Sequence, residues 1–165
     1  MADVIRTIPE GRGNSRVALM RGDEELSRAV IFPMTIRIGR AEVRMDGVGG
    51  VATADAHRYQ GYSRRVMEAA VDLMMTGDAA LSTLYGIPHF YPKYGYATLG
   101  PEYTVAPAEL DERAVLPERY SDRSGDPGDL RALQALYRDE TARSVGSVVR
   151  GDDCWAWKEL ESALA

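Results

Sequence analysis

The sequence predicts an α/β (α+β) fold, a mixed and mostly antiparallel sheet with flanking helices, on three observations. Residues 16–45 are rich in β-formers and are cut by charged or glycine-containing turns, the pattern of an antiparallel meander. A glycine-rich strand ending at Thr53 then leads through a polar turn into an amphipathic helix and a second apolar run at 79–85, the order of a right-handed βαβ unit. With 165 residues, 45% of them hydrophobic and 27% charged, the chain has material for one ordinary core.

The elements follow in order. Residues 4–8 form a possible short strand inside a loosely held first fifteen residues. Strands are predicted at 17–20, at 28–38 and at 41–45, the second bent or bulged at Pro33, whose ring removes a ladder donor. The next strand, 48–53, contains or adjoins Gly47, Gly49 and Gly50, which strip side chains from its surface. Either a bulge lies there or something approaches the backbone closely. A polar turn at 54–63 precedes a helix at 64–75, with Val66, Ala69, Ala70, Leu73 and Met74 at helical spacing. The run 79–85 reads as a buried strand parallel to 48–53, and the aromatic cluster 89–96 as a short helix capped by Gly95 with a strand from Tyr96. A last strand is expected at 103–105 and a linker at 107–126. The helices 129–143, with Asp126 or Asp129 as N-cap, and 152–164 close the chain.

Charge and composition narrow the function. A net charge of -5 argues against nucleic-acid and anionic-membrane partners, which draw on clustered Lys and Arg. With no signal segment and no apolar run near twenty residues, a cytoplasmic protein is expected. One Cys and two His without ligand spacing give no support for a disulfide or a metal site.

The turn before the helix carries Arg58, Tyr59, Gln60, Gly61, Tyr62 and Ser63 in the order R-x-x-G-x-S. A helix start leaves backbone N–H groups unpartnered and carries partial positive charge, so it is an anion cradle. Gly61 permits close approach and the small Ser63 keeps the mouth open. The turn lacks the Gly-Lys-Ser/Thr ending of a P-loop and the three-glycine dinucleotide fingerprint, which sets a nucleotide-binding α/β domain behind the other readings.

Two segments together resemble the acetyl-CoA-binding core of the GCN5-related N-acetyltransferase (GNAT) superfamily. One is Val51-Ala52-Thr53 followed by Arg58 to Ser63, with Ser63 where the family has Gly or Ala. The other is Tyr91-Pro92-Lys93-Tyr94-Gly95-Tyr96. The resemblance covers roughly residues 16–105. It implies a splayed central parallel pair, with acetyl-CoA as cosubstrate, its pantetheine arm along Val51 and Thr53 and its pyrophosphate on Arg58 to Ser63. It further implies N-acetyl transfer to a cationic small amine or lysine by direct attack in a ternary complex, with Tyr91 as general acid. The base is left open among Glu42, Asp46 and His89.

The tail is similar to the start of the second module of the enhanced intracellular survival (Eis) type of acetyltransferases, on the helix pattern at 129–137 and the later Val149-Arg150-Gly151-Asp152-Asp153 run with Trp155 and Trp157. The domain reading is therefore a GNAT-like core at 1–106, a linker at 107–126 and a two-helix tail at 127–165. That core lacks the usual N-terminal helices, and the expectation is that the C-terminal pair covers their face, within the chain or across a homo-oligomer. The alternative function is a catalytically silent CoA-binding or protein-interaction module.

Overall fold

The computed structural model describes residues 2–87, 89–100, 123 and 125–155, Asp153 by its backbone alone. Among the described residues, five strands form one sheet in sequence order: β1 (Asp3–Pro9), β2 (Ser15–Arg21), β3 (Glu24–Ile38), β4 (Ala41–Thr53) and β5 (Leu81–Leu84). Neighbours from β1 to β4 are antiparallel, and β4 and β5 are parallel across the helix α1 (Tyr62–Met75). This is the mixed, mostly antiparallel sheet with a parallel pair that the sequence predicts.

The meander is set by two-residue turns. Gly22 and Gly39 open the β2–β3 and β3–β4 turns with φ of 63° and 60°, the positive φ that a glycine-first hairpin loop needs. Residues 41–53 form one strand rather than two, bulged at Gly50, where φ is 58° and the pairing with β3 shifts between Arg28 and Val30. At Gly47 and Gly49 the close approach comes from the chain itself. A Cβ there would lie 2.6 Å from Met34 Cε and 3.0 Å from Phe32 Cε2. Pro33 falls where β2 no longer pairs with β3, so its missing N–H costs no ladder bond to β2.

The core lies between the sheet and α1. Val17, Leu19, Leu26, Ala29, Ile31 and Val48 meet Tyr62, Val66, Met67, Ala70 and Met74 of the helix. The 62, 66, 70, 74 spacing puts one helical stripe on the sheet, and Ala69 and Leu73 are partly buried beside it. The helix begins at Tyr62, two residues earlier than predicted, because the Tyr62 ring is itself part of the core.

Four expectations are corrected. The N-terminal segment is tied rather than loose: all of β1 pairs with β2, and Asp3 receives the Arg21 Nε at 2.8 Å. Strand β5 is short and largely exposed rather than buried. Residues 92–94 form one 3-10 turn, capped by Gly95 at φ 93°, and no strand starts at Tyr96 among residues 96–100. The expected strand at 103–105, most of the 107–126 linker and the 152–164 helix beyond Trp155 lie outside the described residues. The part of that helix inside them is a 3-10 turn, Asp152–Cys154.

The C-terminal helix α2 (Leu130–Thr141) starts after a reciprocal cap, in which Asp126 accepts from the Gly128 N–H and Asp129 accepts from the Asp126 N–H. Beyond it, residues 146–149 run antiparallel to the far end of β3. The Arg37 N–H donates to the Ser147 carbonyl at 2.9 Å, and the Val149 N–H to the Thr35 carbonyl at 2.7 Å. None of the side chains described as packed against the α1 core comes from α2. No described helix is long and apolar enough to cross a membrane.

Candidate active site

The sheet opens where β4 outruns β5. Their pairing covers Met45 to Val48 against Leu81 to Leu84. From Gly49 to Thr53, β4 continues with β3 on one side and, among the described residues, no strand on the other. The Val51 side chain packs on the core, and the Thr53 hydroxyl lies 2.9 Å from the Ser27 hydroxyl. What these two residues offer along the open edge is therefore backbone.

The strand delivers the chain to the N-terminus of α1. Gly61 is the N-cap, in the left-handed region at φ 77°, and a Cβ built there meets nothing within 4 Å. Among the described residues no side chain caps this end, which leaves its first N–H groups with the partial positive charge of a helix start. Tyr59 also sits at positive φ, 63°, with its side chain fully exposed, a strained backbone position of the kind that clusters at ligand sites. Gln60 is exposed, Ser63 half-buried, and Arg58 pairs with Asp55 at 2.8 Å while remaining largely in solvent. His57 anchors this turn, its Nε2 lying 2.8 Å from Glu24 Oε1.

Tyr62 is the buried member of the predicted cradle. Its hydroxyl accepts from Arg21 Nη2 at 2.9 Å, and Arg21 also grips Asp3, whose carboxyl is held below its ordinary range chiefly by that hydrogen bond. Arg65 reaches the same carboxylate at 3.5 Å. Sequence reasoning missed this network, because Asp3 and Arg21 meet only through strand pairing.

Tyr91 lies beyond the C-terminal end of β5, half-buried against the core, with Phe90 edge-on at 4.9 Å and Tyr96 at 6.3 Å between ring centroids. Burial pushes the Tyr91 phenol above its ordinary value. The Tyr96 phenol is likewise raised by burial, against the Ser82 hydroxyl 2.7 Å away. Asp46, paired in register with Ser82, is half-buried, and burial raises its carboxyl against the pull of Arg44. The three base candidates thus part company. Asp46 borders the Tyr91–Tyr96 cluster, Glu42 pairs with Arg37 at 3.1 Å near the far end of β4, and His89 is an exposed turn residue at φ 68°. Ser82, Gly86 and the packing role of Tyr96 were also missed. Only Tyr96 carried a signal, as the last aromatic of its motif.

A cavity of about 250 Å³ lies on the other side of β4, between Ser27, Arg28, Thr53 and Asp55, and not along the β4–β5 opening.

Residues 7–99, more than half of the chain, match the sequence model of the acetyltransferase (GNAT) domain. The chain belongs to the GNAT acetyltransferase family. Among solved structures of similar fold is a conserved protein of unknown function from Enterococcus faecalis V583, for which N-acyl transfer is suggested. It shares 16% identity at TM-score 0.52 over 58% of this chain, which spans only about a third (32%) of that protein. A transcriptional regulator from Bacillus halodurans aligns at TM-score 0.51 with 16% identity, over 59% of this chain and 68% of that one. A GNAT family acetyltransferase from Brucella melitensis, solved with acetyl-CoA, aligns at TM-score 0.46 with 19% identity, over 55% and 61%. No curated protein matches the sequence. The likenesses at TM-scores of 0.52 and 0.51 show the fold, in agreement with the family match.

Proposed function

We propose that the chain is an N-acetyltransferase that moves the acetyl group of acetyl-CoA to a cationic small amine or lysine in a ternary complex. The observation that carries this reading is the joint geometry of one opening: a parallel pair that stops pairing at Val48 and Leu84, leading into a helix start capped by Gly61 in open space. The free edge at Val51 and Thr53 suits the amides of a pantetheine arm, as an added strand would pair there. The N–H groups at the start of α1, with Arg58, Tyr59, Gln60, Gly61, Tyr62 and Ser63 around them, suit a pyrophosphate.

Acetyl-CoA supplies the acetyl carbon, which gains a bond to the amine nitrogen and loses its bond to sulfur. Tyr91 supplies the proton to the departing sulfur. Its raised phenol pKa keeps that proton in place at neutral pH. Asp46 is the base we favour for the amine proton, because partial burial raises its basicity and it lies beside the tyrosine cluster. The acceptor pairs with an acidic protein, the Eis-type kinship of the tail stands as part of this reading, and the reaction takes place in the cytoplasm.

The second reading, a silent CoA-binding or protein-interaction module, is favoured by exposed Leu81, Tyr85 and Ile87 around β5. Calorimetric titration with acetyl-CoA, repeated on Gly61→Asp, tests the first step. Saturable binding lost in the variant supports the cradle, and no binding by the wild type overturns the transferase reading and leaves a protein-interaction module. A panel of polyamines, aminoglycosides and lysine peptides with thiol detection then separates them: release of free thiol selects the enzyme, and binding without turnover selects the module.

A further inference from the structure

The C-terminal third carries a second concave site that the transferase reading does not use. A pocket of about 210 Å³ lies between α2 and the segment paired with β3, lined by Arg37, Arg138, Arg150, Tyr137, Trp155 and Asp152 among others. It is reached from the far end of β3, whereas the cradle lies beyond Thr53, which pairs with Ser27 near that strand's beginning. The two sites are therefore separate.

The two aromatic side chains of this pocket and Arg150 are held against one another before any ligand arrives. Tyr137 and Arg138 project from the same stretch of α2 as Gln134 and Thr141, at the spacing that shares a helix face. The Tyr137 hydroxyl donates to the Val148 carbonyl at 2.6 Å, which pins the ring, and Trp155 meets that ring edge-on at 5.4 Å. The Arg150 guanidinium lies 4.6 Å from the Tyr137 centroid and 5.3 Å from that of Trp155. An arginine held over aromatic faces keeps its charge, and its guanidinium N–H donors suit an oxyanion. Arg37 is paired with Glu42 at 3.1 Å, but neither Arg138 nor Arg150 has a carboxylate at ion-pair distance among the described residues. Three guanidinium groups thus face Asp152 and the Glu42 partner, an excess of positive charge on a chain whose net charge is -5.

We propose that this pocket binds a small metabolite through an oxyanion group, a phosphoryl or a carboxylate, gripped by Arg150 and Arg138. The volume is too small for a nucleotide cofactor and suits a compact anion. The excess charge is relieved when the anion enters, and the aromatic walls exclude water from the contact.

Trp155 is a built-in reporter. The chain has two tryptophans, so Trp157→Phe leaves Trp155 as the sole tryptophan, excited apart from the tyrosines at the red edge of absorption. That protein is titrated with inorganic phosphate and, separately, with succinate, at ionic strength held constant with sodium chloride. The expected result is a saturable change in emission with at least one probe. A response to phosphate alone identifies a phosphoryl ligand, and one to succinate alone a carboxylate. Arg138→Gln, which leaves the stacked pair untouched, should weaken the midpoint at least tenfold with an unchanged circular dichroism spectrum. Should that variant unfold, Arg138→Lys, which keeps the charge and loses the fork, should still weaken binding measurably. Gly61→Asp should leave the titration as it is, since it alters only the cradle. No saturable response to either probe, or an unchanged midpoint in the folded Arg138 variant, overturns the proposal.

Discussion

Gly86 and Tyr91 are fitted to each other: a Cβ at Gly86 would lie 2.6 Å from Cδ2 and 2.9 Å from Cζ of the Tyr91 ring. The glycine is there for space. Gly86→Ala should displace the ring, at a cost of about 1–3 kcal/mol for an overpacked site. A thermal melt reads the cost, and loss of transfer activity alongside it would tie the ring position to catalysis. An unchanged melting temperature would mean that the ring moves aside freely.

Tyr91→Phe removes the proposed proton donor and keeps the ring. Stability should change by no more than about 0.5 kcal/mol, while the acetyl-transfer rate should fall about 10²-fold or more. Equal turnover by the two proteins would remove Tyr91 from the chemistry.

Asp46→Asn separates two effects of one carboxylate. Burial raises its pKa, so the ionised form is disfavoured in the folded state and its contribution worsens as pH rises through the folded value. The variant should therefore be the more stable protein at pH 7, with the difference closing as pH falls below the ordinary value of 3.8. Transfer should be slower in the same variant. A gain in stability without loss of rate would return the base to the unassigned candidates.

Asp3→Asn has the opposite sign. The hydrogen bond from Arg21 lowers the Asp3 pKa, so its stabilisation is full above 3.8 and disappears as pH falls through the folded value. The variant should be less stable at neutral pH and indistinguishable from wild type in strong acid. Urea titrations at several pH values distinguish this from a pH-independent loss.

Met67 is fully buried on the sheet-facing side of α1. Met67→Ala should lose about 2–5 kcal/mol, and the denaturant midpoint should fall without a change of slope. A loss below that range would mean that α1 repacks into the space.

The meander, the helix and the parallel pair were legible because they rest on local patterns. A short apolar run marks β2, alternation marks β3, the 3.6 period marks α1, and Gly22 and Gly39 mark the turns. The motif residues around Gly61 and Tyr91 were legible for the same reason. Misread features depend on partners distant in sequence. β1 looked loose because its stability comes from β2, and the glycines of β4 left a bulge and a close approach both open because the side chains that lie over Gly47 and Gly49, Met34 and Phe32, belong to the neighbouring strand. The burial of β5 was overestimated, since an apolar run does not reveal whether a layer covers it.

The pairing of residues 146–149 with the end of β3 has a kinetic consequence. Every hairpin from β1 to β4 closes over a few residues, whereas the bridge between Ile36 and Val148 closes a loop of more than a hundred. Loop-closure entropy grows with length, so the short hairpins can form before the distant clasp engages. During refolding, pulse-labelled exchange should find the meander amides protected first and the Arg37 and Val149 amides protected together in a later phase. In a cell, the sheet that carries the cradle would then be built while the C-terminal clasp is still leaving the ribosome.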